Sequence, residues 1–213
     1  MIEGYRTNTL GAIEQMNPGP GPAYDCGYVR SRYDDNSKTE PISRMRIDLL
    51  QRVVGTNASA VLDFGCGNWS FVRKVQEKFT WADVAGWDIS GYPAPARSAL
   101  VAPERWEVFD TLTCFDSLEH LTFDDAEEML SASHWRHVMV SMPWCHARVL
   151  GRKWFDSWKH RRPNEHLFHL DHLALTELMH CLCYKTLFIG NPEDAIREPA
   201  DCYPNILTGI FSR

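Results

Sequence analysis

From Ser59 to the C-terminus, short apolar runs alternate with longer segments whose apolar residues recur every three or four positions. The runs "SAVLDFG" (59–65), "ADVAGWDIS" (82–90), "FDTLTCFDSLEHL" (109–121), "RHVMVSMP" (136–143), "YKTLFIG" (184–190) and "NILTGIFSR" (205–213) predict strands. The helical period is present in "SRMRIDLLQRVVG" (43–55), where Met45, Leu49 and Val53 flank Ile47, Leu50 and Val54 ahead of Gly55. It returns in "FVRKVQEKF" (71–79), in "TFDDAEEMLSAS" (122–133) with its acidic first turn, and in "LDHLALTELMHCL" (170–182). This alternation predicts an α/β domain, a mostly parallel sheet with helices on both faces. The last two strands have no helix between them, which predicts an antiparallel pair at the end of the sheet.

The rest of the chain divides around this pattern. Residues 1–58 read as an N-terminal arm, a Pro/Gly linker at "NPGPGP" (17–22), a tyrosine-rich segment with Tyr24, Tyr28 and Tyr33, and the first helix. Residues 59–143 carry the alternating α/β core, 144–170 a basic and aromatic insert, and 171–213 the helix and strands that complete the same single domain.

Composition narrows the function classes. A net charge of −6 argues against a general nucleic-acid binder and leaves room for a local basic site. No apolar run is long enough to span a bilayer and no signal-type segment opens the chain, so no membrane partner is expected. Seven scattered cysteines without a C-x-x-C fit reduced thiols, and with them a cytoplasmic location. "HCLC" (180–183) closes an apolar helix and reads as packing rather than as a metal site.

The turn after the first strand of the core, Gly65-Cys66-Gly67, lets the backbone approach a ligand and aims a helix N-terminus at it. The P-loop pattern G-x-x-x-x-G-K-[ST] is absent, and Ser70 breaks the dinucleotide pattern G-x-G-x-x-G. Asp63, two residues ahead of Gly65, suits a ligand with an ammonium and a sulfonium, as in S-adenosylmethionine. Asp88 follows Gly67 at the spacing of an acid that takes two ribose hydroxyls.

The D-x-G-C-G turn, the "GWDI" that ends the next strand, and the ordered segments that follow resemble the class I S-adenosylmethionine-dependent methyltransferases. The resemblance runs from about Val61 to the C-terminus. It implies a Rossmann-like seven-stranded sheet with the last strand antiparallel. It also implies roles. Asp63 neighbours the methionine end, and Gly65, Cys66 and Gly67 form the turn beneath it. Asp88 holds the ribose and Ile89 packs on adenine. Phe115 and Asp116 line the sulfonium side, and the tyrosine-rich segment folds over the cofactor as a lid. The chain departs from the family twice. Trp69 stands where the family usually has a glycine, so its side chain must point out of the turn or roof the pocket. Only "GYPAPARSALVAPERWEVF" (91–109) separates Ser90 from the next core strand, so the third strand is missing or vestigial.

"DSLEH" places Asp116, Glu119 and His120 at a strand exit, and "RPNEHLFHLDH" supplies His166, His169 and His172. This set resembles the metal site of small-RNA 2′-O-methyltransferases; quinone-pathway O-methyltransferases also carry an E-H pair here. Glu119, His120 and His166 are therefore candidate ligands for Mg²⁺, Mn²⁺ or Zn²⁺, which would lower the pKa of a substrate hydroxyl. Without a metal, His120 is the first candidate for general base and Asp116 the second.

The insert "PWCHARVLGRKWFDSWKHRRPNEH" (143–166) is rich in Arg, Lys and Trp. Its candidate substrate contacts are Trp144, His146, Trp158, Arg161, Arg162 and His166. The expectation is methyl transfer to an oxygen or nitrogen of a small or medium anionic acceptor, with a sugar, nucleotide-sugar or glycan first. The alternatives are an RNA or DNA methyltransferase that grips its substrate through the insert and a non-catalytic protein that binds the cofactor or serves as a scaffold. The exocyclic-amine motif N-P-P-[YF] is absent, which disfavours base N-methylation.

Overall fold

The computed structural model describes residues 4–33, 35–79, 83–95, 98, 100–197 and 202–213. Ala82, the expected start of the second strand, and the first three residues of the arm lie outside these. In chain order the strands are β1 (Tyr5–Thr7), β2 (Ile13–Gln15), β3 (Ala60–Phe64), β4 (Asp83–Trp87), β5 (Thr111–Phe115), β6 (His137–Pro143), β7 (Phe168–His169), β8 (Lys185–Gly190) and β9 (Ile206–Ser212). The α-helices are α1 (Cys26–Tyr33), α2 (Asn36–Val54), α3 (Ser70–Lys78), α4 (Phe123–Ser131), α5 (Ala147–Ser157) and α6 (His172–Cys181).

The main sheet has the order β4-β3-β5-β6-β9-β8. β4, β3, β5 and β6 run parallel, and β9 is antiparallel to both of its neighbours. The chain leaves β3 for β4 on one side and returns to β5 on the other, so the switch point of the sheet falls at the carboxyl ends of β3 and β5. Side chains alternate along the buried strands. Val138, Val140 and Met142 of β6 join the core that also holds Ala126, Leu130, Leu175 and Leu178 from α4 and α6. Met139 joins Ile47, Leu50, Phe71 and Val75 from α2 and α3 on the other face.

The expected weakness of the third strand is met: among the described residues the main sheet has six strands rather than seven. The remnant of the third is one parallel bridge between Gly86 and Leu100, with the Val101 N–H donating to Gly86 O at 3.1 Å. Prolines at 93, 95 and 103 leave that segment little capacity for a ladder. Helix α2 starts earlier than its apolar period suggests: Asp35 caps it by accepting from the Ser37 N–H, and Pro41 is carried inside the helix. It ends at Gly55, φ 70°, as expected.

The arm and the insert form one outer layer. β1, β2 and β7 make a three-stranded antiparallel sheet, with Ile13 opposite His169. Tyr5 and Ile13 from the arm pack with Phe155 and Trp158 from the insert.

Candidate active site

The turn after β3 is folded onto the end of β4, where the N–H groups of Gly65 and Cys66 both donate to Trp87 O, at 2.7 and 3.1 Å. Gly65 has φ 74°, and a Cβ there would lie 2.5 Å from the Ser117 Cβ, so the position admits glycine only. Trp69 also takes a left-handed conformation, φ 65°, at the N-cap of α3. Its ring does not roof the pocket. It is fully buried beneath the turn with Cys66 and Val72, and its indole N–H donates to Tyr92 O at 3.3 Å. A Cβ on Gly86 would come within 2.6 Å of both the Trp69 ring and the Cys66 sulfur, so the glycine of "GWDI" is what makes room for the tryptophan.

A cavity of about 300 Å³ opens at this switch point. Asp63, Gly65, Cys66, Gly67, Asp88, Ile89, Phe115 and Asp116 all line it, and so do His120, Tyr24, Tyr28 and Tyr33. Asp63 is buried and accepts from the Thr113 hydroxyl at 2.8 Å. Burial pushes its carboxyl up to about 7. Asp88 is held by two backbone donors at 2.8 Å, Gly67 N–H on one oxygen and Ser90 N–H on the other. Burial also pushes the Cys66 thiol up, which keeps it protonated.

Asp116, at φ 52° just beyond β5, is not poised as a base. Arg197 grips both of its oxygens, at 3.1 and 2.6 Å, and Arg46 reaches one at 3.3 Å. These cations overcome its burial and hold its carboxyl well below the usual range. Arg46 also binds the fully buried Glu193 through two bonds, at 2.7 and 2.9 Å, and stacks 4.1 Å over the Phe115 ring. Arg46, Arg197 and Glu193 were not among the sequence candidates. Arg46 had a signal: it sits four residues after Ile42 and three before Leu49, a charge on the apolar stripe of α2. Arg197 and Glu193 had none, because their role depends on a loop that folds back from β8.

The acid–histidine group does assemble. Glu119 is buried, and among the described residues neither carboxylate oxygen has a hydrogen-bond partner. Burial, reinforced by the charge of Asp116, pushes it up to about 8. His120 Nδ1 lies 2.6 Å from the Tyr24 hydroxyl and 2.9 Å from Glu165 O. The His166 ring stands edge-on to His120 at 4.9 Å, and its Nδ1 donates to His160 O at 2.8 Å. Burial lowers His120, and burial with the neighbouring His120 brings His166 down to about 3, so both rings are neutral near pH 7. Glu119, His120 and His166 each place one ligand atom within 4.8 Å of the others.

The other substrate candidates lie elsewhere. Neither Trp144, His146, Trp158, Arg161 nor Arg162 lines the cavity. Trp158 is buried against the arm, and Arg161 lies over the Tyr5 ring at 5.1 Å while pairing with Asp156 at 3.2 Å. Arg162 pairs with Glu165 at 2.8 Å, Arg152 with Asp156 at 3.1 Å, and Arg148 with Asp171. Trp144 and His146 stack on each other at 5.4 Å in an outer group with Trp154 and Tyr203. The insert's amphipathic helix thus spends its large aromatics on packing and most of its arginines on ion pairs.

Residues 38–182 match the model of a family described as a methyltransferase domain. No curated protein matches the chain by sequence. Among solved structures, the chain is similar to the plantazolicin methyltransferase BpumL in complex with a triazolic desmethylPZN analog and SAH, at 13% identity and TM-score 0.58, with 88% of each chain covered. It is similar to magnesium protoporphyrin IX methyltransferase (ChlM) from Synechocystis PCC 6803 with bound SAH, at 16% identity and TM-score 0.56, covering 89% of this chain and 95% of that one. A third is the methyltransferase domain of the bacterial protein CtHen1, at 18% identity and TM-score 0.53, covering 83% and 100%.

Proposed function

The chain belongs to the methyltransferase-domain family and is a class I, S-adenosylmethionine-dependent methyltransferase; from that premise we propose that it methylates a hydroxyl, or less readily a nitrogen, of a small or medium acceptor, with His120 as the proton acceptor. The observation that carries this reading is the position of His120, a neutral imidazole that lines the same cavity as the Gly65–Gly67 turn.

The cavity's chemistry suits the cofactor. Asp63 is a buried carboxylate with a single hydroxyl partner, which leaves acceptor capacity for an ammonium. Asp88 is pre-oriented by two amides toward paired hydroxyls, and Ile89, 72% exposed beside it, offers an apolar face to adenine. Phe115 lies on the sulfonium side. When bound, S-adenosylmethionine supplies an electrophilic methyl group. The residues of this chain hold the two reactants in line and take up one proton: as the acceptor oxygen bonds carbon and the carbon–sulfur bond breaks, the hydroxyl proton passes to His120.

The acceptor class follows from the same residues. With Arg148, Arg152, Arg161 and Arg162 in ion pairs, the charge argument for an anionic acceptor narrows to Lys153 and Lys159. A polar, ring-bearing hydroxyl compound such as a sugar or glycan fits the neutral His120 and the tyrosines that line the cavity. Trp69 lies under the turn and leaves the cavity open, which favours the catalytic reading over the scaffold one.

A second reading keeps the same reaction and adds a divalent metal at Glu119, His120 and His166. It is favoured by the partnerless Glu119 carboxylate within reach of two imidazoles. Calorimetric titration with S-adenosylmethionine and SAH, with and without Mg²⁺, Mn²⁺ or Zn²⁺, tests both readings. Micromolar binding supports the cofactor site, and binding of the metal alone that disappears in Glu119→Gln supports the second reading. No cofactor binding under any condition overturns the first. Labelled-methyl transfer to panels of sugars, phenols, amines and RNA then separates the acceptor classes, and RNA alone as acceptor would replace the glycan assignment.

A further inference from the structure

Two groups contend for one nitrogen of His120. The Tyr24 hydroxyl lies 2.6 Å from Nδ1, and the Glu165 carbonyl oxygen lies 2.9 Å from the same atom. A carbonyl oxygen only accepts, so it asks for a proton on Nδ1. A phenol hydroxyl donates best to a bare Nδ1. A neutral ring cannot satisfy both fully. With the proton on Nδ1, the Nε2 lone pair is free; with the proton on Nε2, the remaining lone pair faces Tyr24.

The shorter contact belongs to the one donor of the two, the Tyr24 hydroxyl. Its position is built rather than incidental. Tyr24 packs edge-on against Tyr28 at 5.1 Å, and the Tyr28 hydroxyl donates to the Glu165 carboxylate at 3.2 Å. Upstream, the Pro/Gly linker is tied to the residue next to Glu165. Asn164 Oδ1 accepts from Gly19 N–H at 2.8 Å and from the Gln15 amide at 2.6 Å, while the Asn164 N–H donates back to Gln15 at 2.7 Å. The same loop that offers the carbonyl therefore anchors the strap that carries the competing hydroxyl.

We propose that Tyr24 is a positioning residue that sets the tautomer of His120: its hydroxyl on Nδ1 keeps the ring proton on Nε2, and its withdrawal gives Nδ1–H to the Glu165 carbonyl and opens Nε2 as the proton acceptor. The exchange moves one proton between ring nitrogens through solvent, and Tyr24 keeps its own, so no charge is gained or lost. An acceptor that enters beside His120 displaces the Tyr24 hydroxyl and, in doing so, creates the base it needs. This rests on the assignment of His120 as proton acceptor.

Two-bond proton–nitrogen correlation spectra of the isotope-labelled full chain, stripped with chelator and held at a pH where the ring is neutral, read the tautomer directly, with His120→Gln identifying the signal. The wild type is expected to carry its proton on Nε2 and Tyr24→Phe on Nδ1, while Asn164→Ala, which loosens the strap, shifts part of the population the same way. A wild-type signal protonated at Nδ1, or the same tautomer in all three proteins, overturns the proposal. If Tyr24→Phe does not fold, the wild-type and Asn164→Ala spectra decide. SAH titration of the same wild-type sample separates the two levels: failure to bind SAH sinks the methyl-transfer reading and leaves the tautomer result standing, whereas normal binding with an unmoved tautomer sinks only the role of Tyr24.

Discussion

Around the glycine turn, Asp63 and Asp88 have hydroxyl and amide partners at 2.8 Å drawn from the β3–β5 region. Around Glu119 the pattern reverses: among the described residues its two buried oxygens have no partner, and neither does Nε2 of the nearby buried His169. The first region, the proposed cofactor side, is held in place by bonds from within the chain, as suits a preorganised site. The second leaves polar groups for something else to satisfy, whether acceptor, water or metal. The two regions also differ in how they are assembled. The proposed cofactor side comes from one β–turn–α–β unit and the carboxyl end of β5 with the residue that follows it. The proposed acceptor side draws on residue 24 from the strap, 119–120 from the β5 exit and 160–166 from the insert.

The strongest way to break this comparison is at His120. His120→Gln keeps a polar side chain but removes the proton acceptor, and methyl transfer should fall by about 10²–10⁴-fold while cofactor affinity stays within a few-fold. Single-turnover transfer to any acceptor found by panel screening measures this. An unchanged rate would move catalysis away from the acid–histidine group. On the cofactor side, Asp88→Ala removes the carboxyl group proposed to take the ribose hydroxyls, a hydrogen bond to a charged group being worth roughly 1.5–3 kcal/mol. Affinity for S-adenosylmethionine should drop by about 10- to 150-fold, read by calorimetry, with thermal unfolding run beside it to separate binding from folding. Unaltered affinity would remove Asp88 from the ribose role.

The asymmetry between the regions explains what could be read from the chain. Asp63, Gly65 and Asp88 are legible because a parallel strand and its glycine turn bring them together locally, and the spacing itself states the geometry. The acid–histidine group was legible as residue types and the tyrosine-rich segment as a lid, but not the tether of the arm to the insert, because the pairing of β2 with β7 joins segments about 150 residues apart. The insert misled for a physical reason. Its arginines and tryptophans have the composition of a substrate grip, and only the fold reveals that Asp156, Glu165 and Asp171 neutralise the cations and that Tyr5 and Ile13 take the rings. Likewise, Trp69 conflicts with its turn until Gly86 is seen to vacate the space for it.

A gentler probe of the cofactor side is pH. Burial raises the folded-state value of Asp63 to about 7, above that of a free carboxylate. Its contribution to stability is therefore fully present below the free value and is lost as pH rises through about 7. A cationic ligand prefers the ionised form, so affinity for S-adenosylmethionine should weaken by up to about tenfold per unit as pH falls below that value. Calorimetry across pH, in buffers of different ionisation enthalpy, should show net proton release on binding at acidic pH. Asp63→Asn should flatten the profile. A wild-type profile that is already flat would take the ammonium away from Asp63.

The smallest expected effect tests whether the insert is structure rather than substrate grip. Arg161 lies over the Tyr5 and Phe155 rings at 5.1 and 5.5 Å and pairs with Asp156, so it ties the first strand of the arm to the insert. Arg161→Ala should lower stability by about 0.5–1 kcal/mol, the scale of a partly exposed cation–π contact. Because the side chain does not line the cavity, cofactor affinity should be unchanged within error. Arg161→Lys keeps the charge but not the planar group over the rings, so it should recover only part of the loss. Thermal unfolding of the three proteins, with acceptor titration beside it, separates the roles. A packing residue changes the melting temperature and leaves acceptor affinity alone. A large loss of acceptor affinity at unchanged melting temperature would return Arg161 to the substrate site and make the insert part of the region that still awaits its ligand.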